Sequence, residues 1–149
     1  MPEALTTLHG RRLGIAATGN LVANTITATP ICTDATIVVG NESSNARAIT
    51  IQLKDSNGKD VAERTVVQAF VLADANGDAI ATTGGSTGIA IGTDGAILAT
   101  LVAKKAFTLI SEADGDIDLT WTDTGTEAAY LALLLPTGRL VISSAMTNA

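Results

Sequence analysis

A chain of 149 residues with nine basic and fifteen acidic side chains carries a net charge of −6, and 46% of its residues are hydrophobic while only 3% are aromatic. That is length for one domain with one core, filled by interlocking Val, Ile, Leu and Ala in place of large rings. The acidic balance argues against sequence-independent nucleic-acid binding, which rests on Lys and Arg neutralising phosphates, and the longest apolar run, Ala128 to Leu135, is too short to cross a bilayer as a helix.

The opening Met1-Pro2-Glu3-Ala4-Leu5 has neither the basic start nor the apolar run of a secretory signal, and the lone Cys32 rules out an internal disulfide. Both features fit synthesis in the cytosol. Residues 1 to 54 hold four bases (Arg11, Arg12, Arg47, Lys54) against three acids (Glu3, Asp34, Glu42), a net +1, so the remainder carries −7. The acidity belongs to the C-terminal body.

In the N-terminal third, Arg12 to Ala17 and Asn20 to Thr29 flank Thr18-Gly19-Asn20 and read as a small hairpin; Ala35 to Val39 reads as a further strand before a polar link, Gly40 to Asn45. From Ala48 the pattern sharpens. Ile49, Ile51 and Leu53 alternate with Thr50, Gln52 and Lys54, one face dry and one wet. Thr65 to Ala73 is apolar at both parities through Val66, Val67, Phe70, Val71 and Leu72, which predicts a central strand covered on each side. Ala79 to Ala81 continues it briefly, and Thr82 to Gly88, with three glycines, predicts a flexible loop. Ile97 to Val102 and Phe107 to Glu112 follow, separated by a turn at Lys104-Lys105. Ile117, Leu119 and Trp121 alternate with Asp118, Thr120 and Thr122, so Trp121 is expected as a core anchor whose indole N–H needs a partner. Ala128 to Leu135 competes between helix, which Ala and Leu favour, and strand, which its brevity and the Pro136-Thr137-Gly138 turn into Leu140 to Ala145 favour.

Regular short strands with Gly, Asp and Asn punctuation define the expected fold class. It is all-β, an antiparallel β-sandwich (immunoglobulin-like or jelly-roll-like) with an N-terminal extended or hairpin arm. Residues 1–47 form the arm or small hairpin region and residues 48–149 the sandwich body; the N-terminal strands either complete the body's sheets or lie as an arm on a neighbouring subunit.

Chemistry-bearing residues are sparse. His9, the sole histidine, and Cys32 are far apart in sequence and lack a third orienting group, so neither nucleophilic catalysis nor a zinc site is expected. Asp74-Ala75-Asn76-Gly77-Asp78 imitates the start of a calcium loop, but its glycine falls at position four and position twelve is Gly85 where a bidentate Glu is required. Asp114, Asp116 and Asp118 form a second oxygen-rich group; Asp-Gly turns and a solvated strand face account for both. Thr83-Gly84-Gly85-Ser86 lacks the Lys-Thr and the helix of a phosphate loop. No enzyme activity, cofactor or metal is expected.

Three segments carry a resemblance: Leu8-His9-Gly10-Arg11-Arg12-Leu13-Gly14; Ala48-Ile49-Thr50-Ile51-Gln52-Leu53-Lys54-Asp55; and Ser111-Glu112-Ala113-Asp114-Gly115-Asp116-Ile117-Asp118-Leu119-Thr120 followed by Leu133-Leu134-Leu135-Pro136-Thr137-Gly138-Arg139-Leu140. Together they resemble small structural proteins of tailed bacteriophages and prophages, and the body resembles bacterial immunoglobulin-like modules. The resemblance implies a cement or decoration protein on the outer surface of a virion capsid, clamping neighbouring subunits. Its partners would be the major capsid protein and copies of itself, in trimers at local threefold positions, with no nucleic acid and no membrane. Leu8, His9, Arg11, Arg12 and Leu13 are the capsid or subunit contacts it implies, within an N-terminal region that adds a strand to a neighbour's sheet. The alternative it leaves is a tail or head-fibre module touching host surface or carbohydrate.

Overall fold

The computed structural model describes residues 31–149 in full, together with the backbone of three N-terminal strands. These are β1 (Leu5–Leu8), β2 (Arg11–Ile15) and β3 (Leu21–Val22), an antiparallel sheet in which Leu8 pairs with Arg11 and Ile15 with Leu21. The expected Thr18-Gly19-Asn20 turn lies outside the described residues.

The body is two antiparallel sheets packed face to face. One has the order β4-β5-β10-β7, from β4 (Asp34–Val39), β5 (Ala46–Lys54), β10 (Asp116–Thr122) and β7 (Gly88–Ile91). The other has the order β12-β11-β6-β9-β8, from β12 (Leu140–Ala145), β11 (Tyr130–Leu134), β6 (Val66–Leu72), β9 (Ala106–Ile110) and β8 (Ala96–Val102). The antiparallel β-sandwich expected from the turn spacing is thus observed, and within Glu127 to Leu135 the residues Tyr130–Leu134 are strand, with no helix. With β5→β6 and β10→β11 crossing between sheets, β4-β5-β10 facing β12-β11-β6 follows the strand order of immunoglobulin-type sandwiches; β8 and β9 extend the second sheet.

The alternation in β5 and β10 places Ile49, Ile51, Leu53, Ile117, Leu119 and Trp121 inward, against Val67, Ala69, Val71, Phe107, Leu109, Leu131 and Leu133 of the opposite sheet. Each large aliphatic buried this way contributes about 1.5–3 kcal/mol. Two readings need correction. Ala35–Val39, assigned with the arm, pairs with β5 throughout, so the sandwich begins before Ala48. And β6, though central by hydrogen bonding, is covered on both faces only towards its end: Val67, Ala69 and Val71 are buried on the inner face, while on the outer one Val66 and Gln68 are exposed, Phe70 is half-buried and Leu72 is buried. The apolar residues at the other parity belong to an outer face, described below.

The hairpin β4–β5 closes over Ser44 and Asn45, both at positive φ, which gives the strand-matched twist of a type I′ turn. At the same end of the sandwich the chain terminus is locked in place. Arg47 donates to Asn148 Oδ1 at 3.0 Å, to the Thr147 carbonyl at 2.9 Å and to the Gly40 carbonyl at 3.1 Å. The amide of Asn148, itself buried, donates to the carbonyls of Asn45 and Asp123. Replacing Arg47 by Ala is expected to cost about 2 kcal/mol, and Lys should recover little of it because a point charge cannot reproduce the three-way fork; urea titrations of the two variants check this.

Candidate functional site

The two outer faces of the sandwich differ in kind. On the four-stranded sheet, Thr50, Gln52, Asp116, Asp118, Thr120 and Thr122 point outward, and the turn before β8 adds Asp94 beside Asp118. Burial pushes the carboxyls of Asp94 and Asp116 upward, reinforced for both by the charge of Asp118 and for Asp116 also by that of Asp94. These are clustered carboxylates that disfavour one another's charge, with Asp116 Oδ1 shielded from water and without a hydrogen-bond partner among the described residues. Among the described residues no group of three or more His, Cys, Asp or Glu side chains is placed to hold a metal ion.

On the five-stranded sheet, none of the strands contributes an Asp, Glu, Lys or Arg. Register defines the outward rows. One runs Leu140, Leu134, Gln68, Thr108 and Ala99; the next runs Ile142, Ala132, Phe70, Ala106 and Val102; Val66, Ile110 and Ala96 form a third. Of the nine large apolar side chains left exposed among the described residues, Val66, Leu98, Leu101, Val102 and Leu140 stand on this sheet. A dimple of about 290 Å³ opens on it, between Val66, Val67, Gln68, Thr108, Leu134, Leu135 and Pro136. Bulges in β8 at Leu98 and Leu101 break the ladder on its free edge.

The remaining chemistry is structural. Cys32 is buried, its thiol donates to the Asp34 carbonyl, and burial pushes the thiol pKa up, so it behaves as a small hydrophobe. Asp74 accepts from the N–H groups of Asn76 (2.9 Å) and Gly77 (3.2 Å), which closes the turn that imitated a calcium loop and, led by the Asn76 bond, holds its carboxyl below the usual range. The loop expected to be flexible, Thr82 to Gly88, is tied down. Glu127 accepts from the N–H of Thr83, Gly84 and Gly85, Asp123 accepts from Ser86, and the ammonium groups of Lys104 and Lys105 donate to carbonyls of Ser86 and Thr82. Trp121 is fully buried beneath this loop, and its indole N–H finds no acceptor among the described residues.

Of the residues singled out in the sequence, His9 lies outside the described residues. Leu8 sits on β1, and Arg11, Arg12 and Leu13 on β2; their side chains likewise lie outside the description. The uncharged face went unread. Its signal was present, since five apolar runs are free of charge, but only pairing shows that the five make one sheet.

The fold thus defines a two-sheet antiparallel β-sandwich with one polar, carboxylate-bearing face and one uncharged face. Comparison with protein-family models, with curated proteins and with solved structures finds no match to this chain.

Proposed function

We propose that the protein is a non-catalytic structural component of a virion, of the cement type, which binds the outer surface of a phage capsid and clamps neighbouring major capsid subunits. The observation that carries the reading is the division of the sandwich surface, with a whole uncharged sheet available for protein contact and the charged side chains on the other sheet and in turns. Exposed apolar faces of this extent mark protein–protein surfaces. The resemblance of the Leu8-to-Gly14, Ala48-to-Asp55 and Ser111-to-Thr120 segments to phage head proteins supplies the identity of the partner. In this reading the N-terminal region, with Leu8, His9, Arg11, Arg12 and Leu13, contacts the capsid, and the sandwich is the rigid body that it anchors.

Mass action supplies the stabilisation. A protein that binds only the assembled shell favours it by about 2.7 kcal/mol per site at a hundredfold excess over Kd, repeated at every site. Quantitative composition of purified particles is the test. A ratio to the major capsid protein of one to a small integer is the expected result. A few copies per particle would place the chain in a tail or head fibre, where its immunoglobulin-type strand order is also at home, and absence from particles would overturn both readings.

A further inference from the structure

The virion reading takes the uncharged sheet as a protein-contact surface but gives the capsid contact to the N-terminal region, so the partner of the sheet itself is left open. We infer that the outer face of β12-β11-β6-β9-β8 is the interface between two copies of this chain, stacked sheet on sheet about a twofold axis. This stands apart from the capsid assignment and from the threefold arrangement that the resemblance implies.

Three arguments select a second copy as the occupant. The first is charge. The chain carries −6, and the Asp94, Asp116 and Asp118 carboxylates stand on the outside of the opposite sheet. Two copies stacked through their uncharged faces form four layers at a spacing of about 10 Å, which sets the two acidic rows about 30 Å apart, several times the Debye length of about 8 Å at physiological salt. Stacking through the acidic faces would instead set like charges against one another. The face through which two such acidic molecules can close is therefore the one without charges.

The second argument is shape. A twofold contact is self-complementary, and a twisted sheet face finds its natural cover in another sheet of the same twist, with the side chains of both interdigitating. The row Leu140-Leu134-Gln68-Thr108-Ala99 supplies a ridge, in the next row Ile142, Phe70 and Val102 flank the buried Ala132 and Ala106, and the dimple beside Val66, Thr108 and Leu134 supplies a recess. A rim surrounds them. The turn bearing Asp74 and Asp78 lies against Leu140 and Ile142 through Gly77, and the Lys104-Lys105 turn closes the β8–β9 end.

The third is area. Five strands about 4.8 Å apart, at about 3.3 Å per residue, present a face of roughly 24 by 20 Å, on the order of 500 Å² per copy and 1,000 Å² for the pair. That lies at the threshold of a specific interface, so a reversible dimer in the micromolar range is expected.

Sedimentation of the full chain across a concentration series tests the inference, with Val66→Lys, Thr108→Lys and Thr50→Lys as variants and circular dichroism confirming that each is folded. Val66 and Thr108 stand on the uncharged face, and Thr50 is exposed on the other sheet. All three changes add the same positive charge, so any general relief of acidic repulsion is common to them. The expected result is a dimer whose dissociation constant rises by tenfold or more, an order-of-magnitude figure, for Val66→Lys and Thr108→Lys, because each buries a lysine without a partner, and does not rise for Thr50→Lys. A monomer throughout the series, a trimer, or a dimer that Val66→Lys and Thr108→Lys leave as tight as Thr50→Lys does would overturn it.

Discussion

Gly85→Ala is expected to destabilise the sandwich by about 3 kcal/mol. Gly85 has φ +82, and a Cβ there would stand 2.6 Å from Cη2 of Trp121 and 2.9 Å from the Thr122 carbonyl oxygen. Neither neighbour can retreat. The indole is fully buried among core side chains, and the carbonyl accepts from Thr87 N–H at 3.2 Å in the same loop. Left-handed backbone costs an alanine about 1–2 kcal/mol, and forcing a methyl into packed surroundings adds about 1–3. Gly58→Ala separates the two contributions: Gly58 has φ +75 but nothing within 4 Å of its Cβ position, so it should lose about 1 kcal/mol, the conformational part alone. Denaturant unfolding of both variants followed by circular dichroism measures the difference.

Glu127→Gln should remove about 1–2 kcal/mol near neutral pH and, more diagnostically, remove a pH dependence. Burial acts to raise the Glu127 carboxyl. Hydrogen bonds from the Thr83 hydroxyl and from the N–H groups of Thr83, Gly85 and Gly84 outweigh it and lower the pKa from 4.5 to about 2. The folded value lies below the unfolded one, so the stabilisation is complete above about pH 4.5 and drains away as the pH falls from there towards 2. The side chain is in part open to water, which is why the figure is set below the full linkage value. Melting temperatures of the two proteins should differ near pH 7 and draw together as the pH falls from about 4.5 towards 2; parallel curves across that range would show that the Glu127 charge does not hold the loop.

How much of the sandwich was legible in the sequence follows from where its information sits. In β5 and β10, a strict period of two encodes a dry and a wet face, and burial follows it residue by residue. In β6 the same rule misled, because Val66 and Phe70 are apolar for an outer surface and a local pattern cannot distinguish two kinds of apolar face. β7 was missed: its Gly-Ile-Ala-Ile has four residues and follows a glycine-rich loop, and its place beside β10 is fixed by long-range pairing. The Glu127 clasp was equally unreadable, since it joins residues more than forty positions apart whose types are ordinary for a turn and a linker. Charge can be counted along a chain, whereas the gathering of five uncharged strands into one sheet is a property of pairing.

The aromatic side chains add an optical consequence. Trp121, Tyr130, Phe70 and Phe107 are the complete aromatic set of the chain, and all four sit in strands of the two packed sheets. Near-ultraviolet absorption and intrinsic fluorescence therefore originate entirely from the sandwich, with the indole emission expected at the short wavelengths of a dry environment. Residues 1–30 contribute no signal of their own, so a fluorophore placed among them would report binding events against a silent background, while the native tryptophan reports in parallel whether the body remains folded.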